Sequence, residues 1–572
     1  VSLIHLPKSS TWRPAPDSQL PTWTLPFPSL NWPIASLPIP RKQPSVFSFP
    51  TMGGVVHVVD FLSWYYCGLH RRTSKFFKRS YRATLWRLHQ FWLELLYFMF
   101  FSIVGFIALL ALEKEKPAGG TRIANADLFF MSVSAHTASS LASINLEDLS
   151  DSQFVVLIFL MFVGGEVFIS ALTLLFETVD FNDRERRDAD VELAGHALES
   201  NAVNGDHEDL KLRSTRLLAR VALGFHVFVC IFGSLTVLAY FRTIPSAKDV
   251  LQRKGLSMAT FSVFTAVSSF VNCGFLPNNE NMIVFIRNSG FLLMVTGQIL
   301  VGNTLFPACL SLMIWAFQKW SRRQEYEFLW KRGHELGYGH FFHWKTSAYI
   351  TLSNVGFTVV QFVMFGLLQW GSGAGLTVYQ KLVAGLFQSV NARHAGEMAF
   401  DLSGFSAALL VVYLVMMFLP PYTFLLPLKM ARPENGDENC GSSGRSSVEK
   451  EEMKKGSVGG RLRKYLLLPQ AAYLVIFVVL ICLTERRHLR EDPLNFNALT
   501  IAFEVASAYG NVGLTTGYSC QRLQKITNLP CTDSWASFSG RWSWKGKAII
   551  IVVMFFGRLK KFSRGGKAWV TL

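Results

Sequence analysis

The chain has 572 residues, half of them hydrophobic and only 17% charged, against roughly 25% charged in a soluble domain. Its 56 Lys and Arg outweigh 39 Asp and Glu, for a net charge of +17, and 49 residues are Phe. This excludes a disordered chain, a collagen-like chain and a small disulfide-stapled domain, and it argues against a soluble enzyme, whose fold could not hide so much apolar surface.

Residues 1–51 are rich in Pro, Ser and Trp and have no long apolar run. They read as a disordered leader rather than a signal peptide, and the stretch before Met52 reads as an extension without a function of its own. Residues 52–90 carry a basic run, Arg71, Arg72, Lys75, Lys78, Arg79, Arg82 and Arg87. A long apolar run follows at once, so this segment reads as the cytoplasmic flank of a membrane helix rather than a nucleic-acid patch.

A bilayer core needs ~20 mainly apolar residues per helix. Stretches of that kind lie near 91–113, 153–177, 215–241, 283–316, 346–370, 402–428, 464–484 and 545–562. Between the members of each pair sits a shorter, half-apolar segment, near 127–140, 258–274, 380–396 and 498–513. These segments read as re-entrant pore helices followed by extended loops, which membranes tolerate only where protein buries them or water lines them. The chain therefore divides into repeat A (91–177), repeat B (215–316), repeat C (346–428) and repeat D with the tail (464–572). Connections at 178–214, 317–345 and 429–463 separate them. These connections carry basic residues beside the spans, which places them and both termini in the cytoplasm; Arg486, Arg487 and Arg490, on the side taken as outer, run against that rule.

The short segments resemble one another. They read Phe130, Val133-Ser134-Ala135 and Ser140; Phe264, Val267-Ser268-Ser269 and Gly274; Phe387, Val390-Asn391-Ala392 and Gly396; Phe503, Ala506-Ser507-Ala508 and Gly513. The last residue falls at offset ten from the Phe, or nine in repeat C, so the neighbour Ser139 competes with Ser140 for the position in repeat A. The predicted fold is an all-α polytopic membrane protein. Four helix–pore loop–helix repeats, eight transmembrane helices in all, stand with pseudo-fourfold symmetry around one central pore.

An alkali ion crossing the bilayer core must exchange its hydration shell for other oxygens, and carbonyls from converging loops supply them. Close approach of such loops favours residues without a Cβ. Ser140, Gly274, Gly396 and Gly513 are therefore the candidate selectivity filter, and Na+ held there is the one metal expected. The Cβ and hydroxyl of Ser140 break a uniform cage and disfavour K+ relative to Na+. The second spans carry Gly164-Gly165-Glu166, Gly302-Asn303 and Gly557-Arg558. Glu166 and Asn303 are candidate intramembrane polar residues, since polar groups within spans are functional by default. Arg558 sits either under the filter as an electrostatic barrier or at the interface as a snorkelling terminal charge. Met416, Met417 and Pro420, with Pro421, interrupt the repeat C span and mark a candidate gate, because Pro breaks the helical ladder.

Together these residues resemble the plant high-affinity K+ transporters (HKT) of the Trk/Ktr/HKT superfamily, from about residue 90 to the carboxyl terminus. SVSAHTASSLAS, VNCGFLPNNENM, FQSVNARHAGEMAFDLS, YGNVGLTTGYSC and GRLKKF carry the resemblance. It implies a Ser-Gly-Gly-Gly filter at Ser140, Gly274, Gly396 and Gly513 like that of subfamily 1, whose members are mainly Na+-selective uniporters of the plasma membrane that serve plant sodium homeostasis and salt tolerance. Ser also occurs in some members of subfamily 2. The resemblance further implies a constriction at Arg558 and the broken repeat C span, and a homodimer with one pore per subunit. The Pro-rich leader and His136 depart from the family pattern; His136 offers a route for pH to tune conductance.

The remaining alternatives are a K+-permeable or Na+–K+ symporting transporter, and a membrane-embedded enzyme or receptor. The last predicts His, Asp or Glu clustered within spans, which are nearly free of them. His334, His340 and His343 lack metal-site spacing and read as a solvated or interfacial cytoplasmic loop. Cys520 and Cys531 can form a disulfide on an oxidising outer face. No nucleotide motif is present, so no cofactor is expected, and the partners are monovalent cations and the lipid bilayer, not nucleic acid.

Overall fold

A computed structural model describes residues 90–112, 123–176, 178, 202–321, 323–336, 338–419, 422, 470–524 and 536–563. These belong to one compact unit, Arg82–Leu572. Pro420 and Cys531 lie outside the described residues, as do the leader and most of the basic segment.

The described residues form helices and no strands. The first group is α1 (Gln90–Ala111), the short α2 (Asn125–His136), α3 (Asp151–Gly164) and α4 (Glu166–Phe176). The second is α5 (Ala202–Thr243), the short α6 (Met258–Phe270), α7 (Ser289–Val301) and α8 (Phe306–Ser321). The third is α9 (Trp344–Gln369), the short α10 (Val378–Asn391) and α11 (Ala407–Phe418). The fourth is α12 (Gln470–Thr484), the short α13 (Ala498–Gly510) and α14 (Trp544–Ser563).

By length and apolar composition α1, α5 and α9 can each cross a membrane, and so can two bent pairs. The pair α3–α4 bends by 54° and the pair α7–α8 by 76°. These breaks were not anticipated; the Pro residues of repeat C were the expected site of interruption. Their cause is local. Gly165 and the run Gly302-Asn303-Thr304-Leu305 fall at the breaks, and Gly weakens a helix interior.

Capping fixes where the short helices start. Thr377 and Gln380 form a capping box on α10, Asn497 and Thr500 form one on α13, and the Ser257 hydroxyl caps α6. Each short helix packs against long helices of its own group, α2 on α1 and α3, α6 on α5 and α7, α10 on α9, and α13 on α12 and α14. Across groups, α3 packs on α6, α7 on α10, α11 on α13, and α14 on α2. That order closes on itself. At the closing seam Lys547 pairs with Asp127 at 2.6 Å, and Ser537 and Ala142 exchange two hydrogen bonds of 2.7 and 3.0 Å.

Three glycines let the second helices approach the ends of the short ones. A Cβ on Gly164 would stand 1.9 Å from the His136 carbonyl oxygen, one on Gly302 1.8 Å from that of Phe270, and one on Gly557 2.1 Å from that of Tyr509. The polarity pattern is inverted relative to a soluble protein. Phe100, Ile107, Phe228, Phe232, Leu352 and Val363 are exposed, whereas Ser132, Ser134, Thr137, Gln388, Ser389 and Ser507 are buried. Apolar side chains face outward where lipid is the solvent, and polar ones gather around the short helices.

Candidate functional site

The loop that follows each short helix is folded back by one repeated device. The carbonyls of Ser134, Ser268, Asn391 and Ser507 accept the backbone N–H groups of Ser139, Cys273, Gly396 and Val512 at 2.8, 2.9, 3.1 and 3.1 Å. The next N–H is taken by a side chain: Gly274 donates to Ser268 Oγ and Gly513 to Ser507 Oγ, each at 3.0 Å, and Glu397 donates to Asn391 Oδ1 at 3.0 Å. The recurring Ser or Asn at the centre of the sequence motif is therefore a loop anchor. In repeat C the shared carbonyl bond reaches Gly396 itself, which accounts for its offset of nine.

Ser140, Gly274, Gly396 and Gly513 have φ values of 52°, 88°, 70° and 92°. All four lie in the left-handed region, which glycine enters without strain and serine does not. The structure brings them together. A Cβ on Gly274 would fall 1.8 Å from the Ala395 carbonyl oxygen and 3.3 Å from Ser140 Oγ. One on Gly396 would fall 2.3 Å from the Val512 carbonyl oxygen and 2.7 Å from the Gly513 carbonyl carbon. One on Gly513 would fall 2.2 Å from Ser140 Cβ. The four loop ends thus form a closed circuit of contacts, through backbone atoms where Gly274 meets Ala395 and Gly396 meets Gly513, and through the Ser140 side chain where it meets Gly274 and Gly513. Ser139 is placed differently: its hydroxyl is buried against Thr137 Oγ1 and Asn511 Nδ2, at 2.8 Å each, whereas Ser140 lines a cavity with Gly513, Asn281, Met398 and Thr515.

Further polar groups brace this circuit. The buried Glu504 carboxylate accepts from the Thr515 hydroxyl at 2.7 Å and from the Ser539 N–H at 2.9 Å. Glu147 and Asn279 exchange two hydrogen bonds of 3.2 and 3.3 Å between repeats A and B. Lys254 bonds to Glu147 and Glu280 at 2.9 and 2.6 Å. Burial disfavours its charge, but the bonds to Glu280 and Glu147 outweigh that and hold its pKa above the usual lysine value.

Arg558 is buried, with 2% of its surface exposed, so it does not snorkel to an interface. It donates to the Gly164 carbonyl at the α3–α4 break and stands 4.0 Å from Glu166. Glu166 is also 4.0 Å from His340, whose Nδ1 lies 2.7 Å from the Tyr422 hydroxyl. His340 is buried too, contrary to the expectation of a solvated or interfacial loop, because Tyr338, Phe306 and Tyr422 close around it. Among the described residues no three His, Cys, Asp or Glu side chains are placed to hold a metal ion. Asn303 lies in the α7–α8 break, where its carbonyl accepts from the Phe306 N–H at 3.1 Å. Met416 and Met417 are buried at the end of α11, and the Met417 carbonyl oxygen would stand 2.6 Å from a Cβ on Gly510. Cys520 carries a disulfide. His136 is enclosed by Tyr97, Phe98 and Phe101, with Nδ1 3.2 Å from the Leu160 carbonyl oxygen.

The TrkH family model, described as a cation transport protein, matches residues 193–565. The cation transporter HKT1;3 of Oryza sativa subsp. japonica is 41% identical over 494 residues, covering 82% of this chain and 90% of the relative. The sodium transporter HKT1 of Arabidopsis thaliana is 41% identical over 485 residues, covering 80% and 91%. The chain belongs to the HKT cation transporters of the TrkH family. The potassium transporter TRK1 of Candida albicans is 26% identical over 359 residues, covering 61% of this HKT chain and 32% of the relative. A crystal structure of the potassium transporter TrkH from Vibrio parahaemolyticus aligns with a TM-score of 0.44 at 16% identity, covering 84% of this chain and 85% of that one. As an HKT chain it is a cation transporter, not an enzyme.

Sequence reasoning missed the brace at Glu504 and the burial of His340. It also missed Asn281, although the run Pro277-Asn278-Asn279-Glu280-Asn281 carried a signal, being a dense polar cluster directly after a filter glycine.

Proposed function

We propose that this HKT chain is a Na+-preferring, channel-like uniporter of the plasma membrane, acting in plant sodium homeostasis and salt tolerance. Four helix–pore loop–helix repeats surround one pore with pseudo-fourfold symmetry, both termini lie in the cytoplasm, and the assembly is a homodimer. The observation that carries the reading is the closed circuit of Ser140, Gly274, Gly396 and Gly513, in which left-handed loop ends from four groups of helices meet, through backbone atoms and through the Ser140 side chain. Their carbonyl oxygens replace the hydration shell of the ion. Ser140 places a Cβ and a hydroxyl in one quarter of the ring, which narrows it for K+. The name of the Arabidopsis relative, a sodium transporter, agrees with that preference. The driving force is the ion gradient and the membrane potential, ~2.3 kcal/mol per charge per 100 mV.

Voltage clamp of cells expressing the chain tests the reading. Currents reverse near the Na+ equilibrium potential and nearly vanish when external Na+ is replaced by K+. Equal currents in the two ions would select the K+-permeable alternative.

Arg558, with Met416 and Met417, forms the constriction beneath the filter in this reading; Pro420, the third candidate of the repeat C span, lies outside the described residues. Arg558→Ala removes a buried positive charge from the ion path. It changes current amplitude or rectification while the protein still reaches the surface. If the variant instead fails to reach the surface, the arginine serves packing through its bond to Gly164.

A further inference from the structure

The third loop reaches its glycine one residue sooner than the second and fourth, and the segment after Gly396 is held differently from theirs. Three successive N–H groups of that segment are taken by side-chain oxygens. Glu397 donates to Asn391 Oδ1 at 3.0 Å, Met398 to Asn281 Oδ1 at 3.1 Å and Ala399 to Gln388 Oε1 at 3.0 Å. Asn391 and Gln388 belong to the same repeat. Asn281 does not: it lies 117 positions away in sequence, on the loop that leaves Gly274.

Asn281 also faces its own loop. Its Oδ1 accepts the Met282 N–H at 2.8 Å, and its Nδ2 stands 3.5 Å from the Gly274 carbonyl oxygen. Its backbone is left-handed, with φ of 56°, a conformation that asparagine tolerates better than most residues. The neighbouring Asn278 fixes it by donating to its carbonyl at 2.7 Å. A second bond crosses the same seam, from the Ser269 hydroxyl of α6 to Glu397 Oε1 at 2.7 Å. The seam matters because the backbones meet there, at Gly274 and Ala395.

We propose that Asn281 is a selectivity-setting positioning residue, clamping the segment after Gly396 to the loop of Gly274 so that this quarter of the filter cannot widen to admit K+. The proposal rests on the filter reading given above. Asn281 acts through backbone position and is not itself an ion ligand.

The test compares permeability ratios from reversal potentials in mixed Na+ and K+ solutions, a readout independent of how much protein reaches the surface. Asn281→Gly removes the amide without straining the left-handed backbone. It lowers the Na+-to-K+ permeability ratio roughly threefold to tenfold, the scale of one hydrogen bond. Asn281→Asp keeps the acceptor oxygen for the Met398 and Met282 N–H groups and stays within about twofold of the unmodified chain. An unchanged ratio in Asn281→Gly overturns the clamp. So does an Asn281→Asp ratio as altered as that of Asn281→Gly, which would make the residue a direct ligand. Loss of current at normal surface density overturns it as well, since the residue would then be needed for conduction rather than discrimination. If Asn281→Gly does not reach the surface, Asn281→Ser is read by the same criteria. Ser140→Gly, run alongside, separates the two ideas: a shift there without one in Asn281→Gly sinks the clamp alone, and no shift in Ser140→Gly sinks the filter reading.

Discussion

Gly274→Ala is expected to abolish ion current while leaving the protein in the membrane. The new Cβ would stand 1.8 Å from the Ala395 carbonyl oxygen and 2.9 Å from its carbon, and both are backbone atoms that cannot swing aside. The backbone at φ of 88° is also one that alanine rarely adopts. The left-handed conformation costs about 1–3 kcal/mol and the overpacking about as much again. Only a separation of the second and third loops relieves the clash, and in the filter reading that destroys the spacing on which ion coordination depends. The measurement is current normalised to surface-labelled protein. Gly366→Ala is the control: it lies within α9, nothing stands within 4 Å of its added Cβ, and it conducts normally. Normal conduction by Gly274→Ala would show that the loop ends do not meet as described.

Ser140→Gly is expected to raise K+ permeability relative to Na+ by the order of tenfold, about what a methylene-sized change does in a close-fitting site. Ser140 is held at φ of 52°, so glycine also relieves about 1 kcal/mol of backbone strain. The serine Cβ stands where a side chain on Gly513 would be, 2.2 Å from that ideal position, and its removal opens this quarter of the circuit. Reversal potentials in bi-ionic solutions read the change. A reversal potential in K+ identical to that of the unmodified chain would remove Ser140 from the filter.

Much of this architecture was legible because the bilayer writes it locally. An apolar run of helix-spanning length needs no tertiary information to be recognised. The four loop residues were visible because the same small and polar residues recur at nearly the same offset from a Phe. The rest depended on contacts between segments distant in sequence. Arg558 is one example: snorkelling and burial are both compatible with GRLKKF, and only the approach of Gly164 and Glu166 separates them. His340 is another, since the residues that enclose it come from α8 and from Tyr422. The bends at Gly165 and Gly302 went unread because glycine in an apolar run marks close packing as readily as a break. The segment after Gly396 shows the same limit, for a one-residue shortening is visible in sequence but the bond to Asn281 that accompanies it is not.

The cyclic packing order also bears on how the protein is made. The helix that docks against α2, the first short helix, is α14 of the fourth group. A nascent chain with three groups of helices inserted is an open arc, its Ser140 loop facing no partner at Gly513. The circuit of loop ends therefore cannot close until the fourth group has been made.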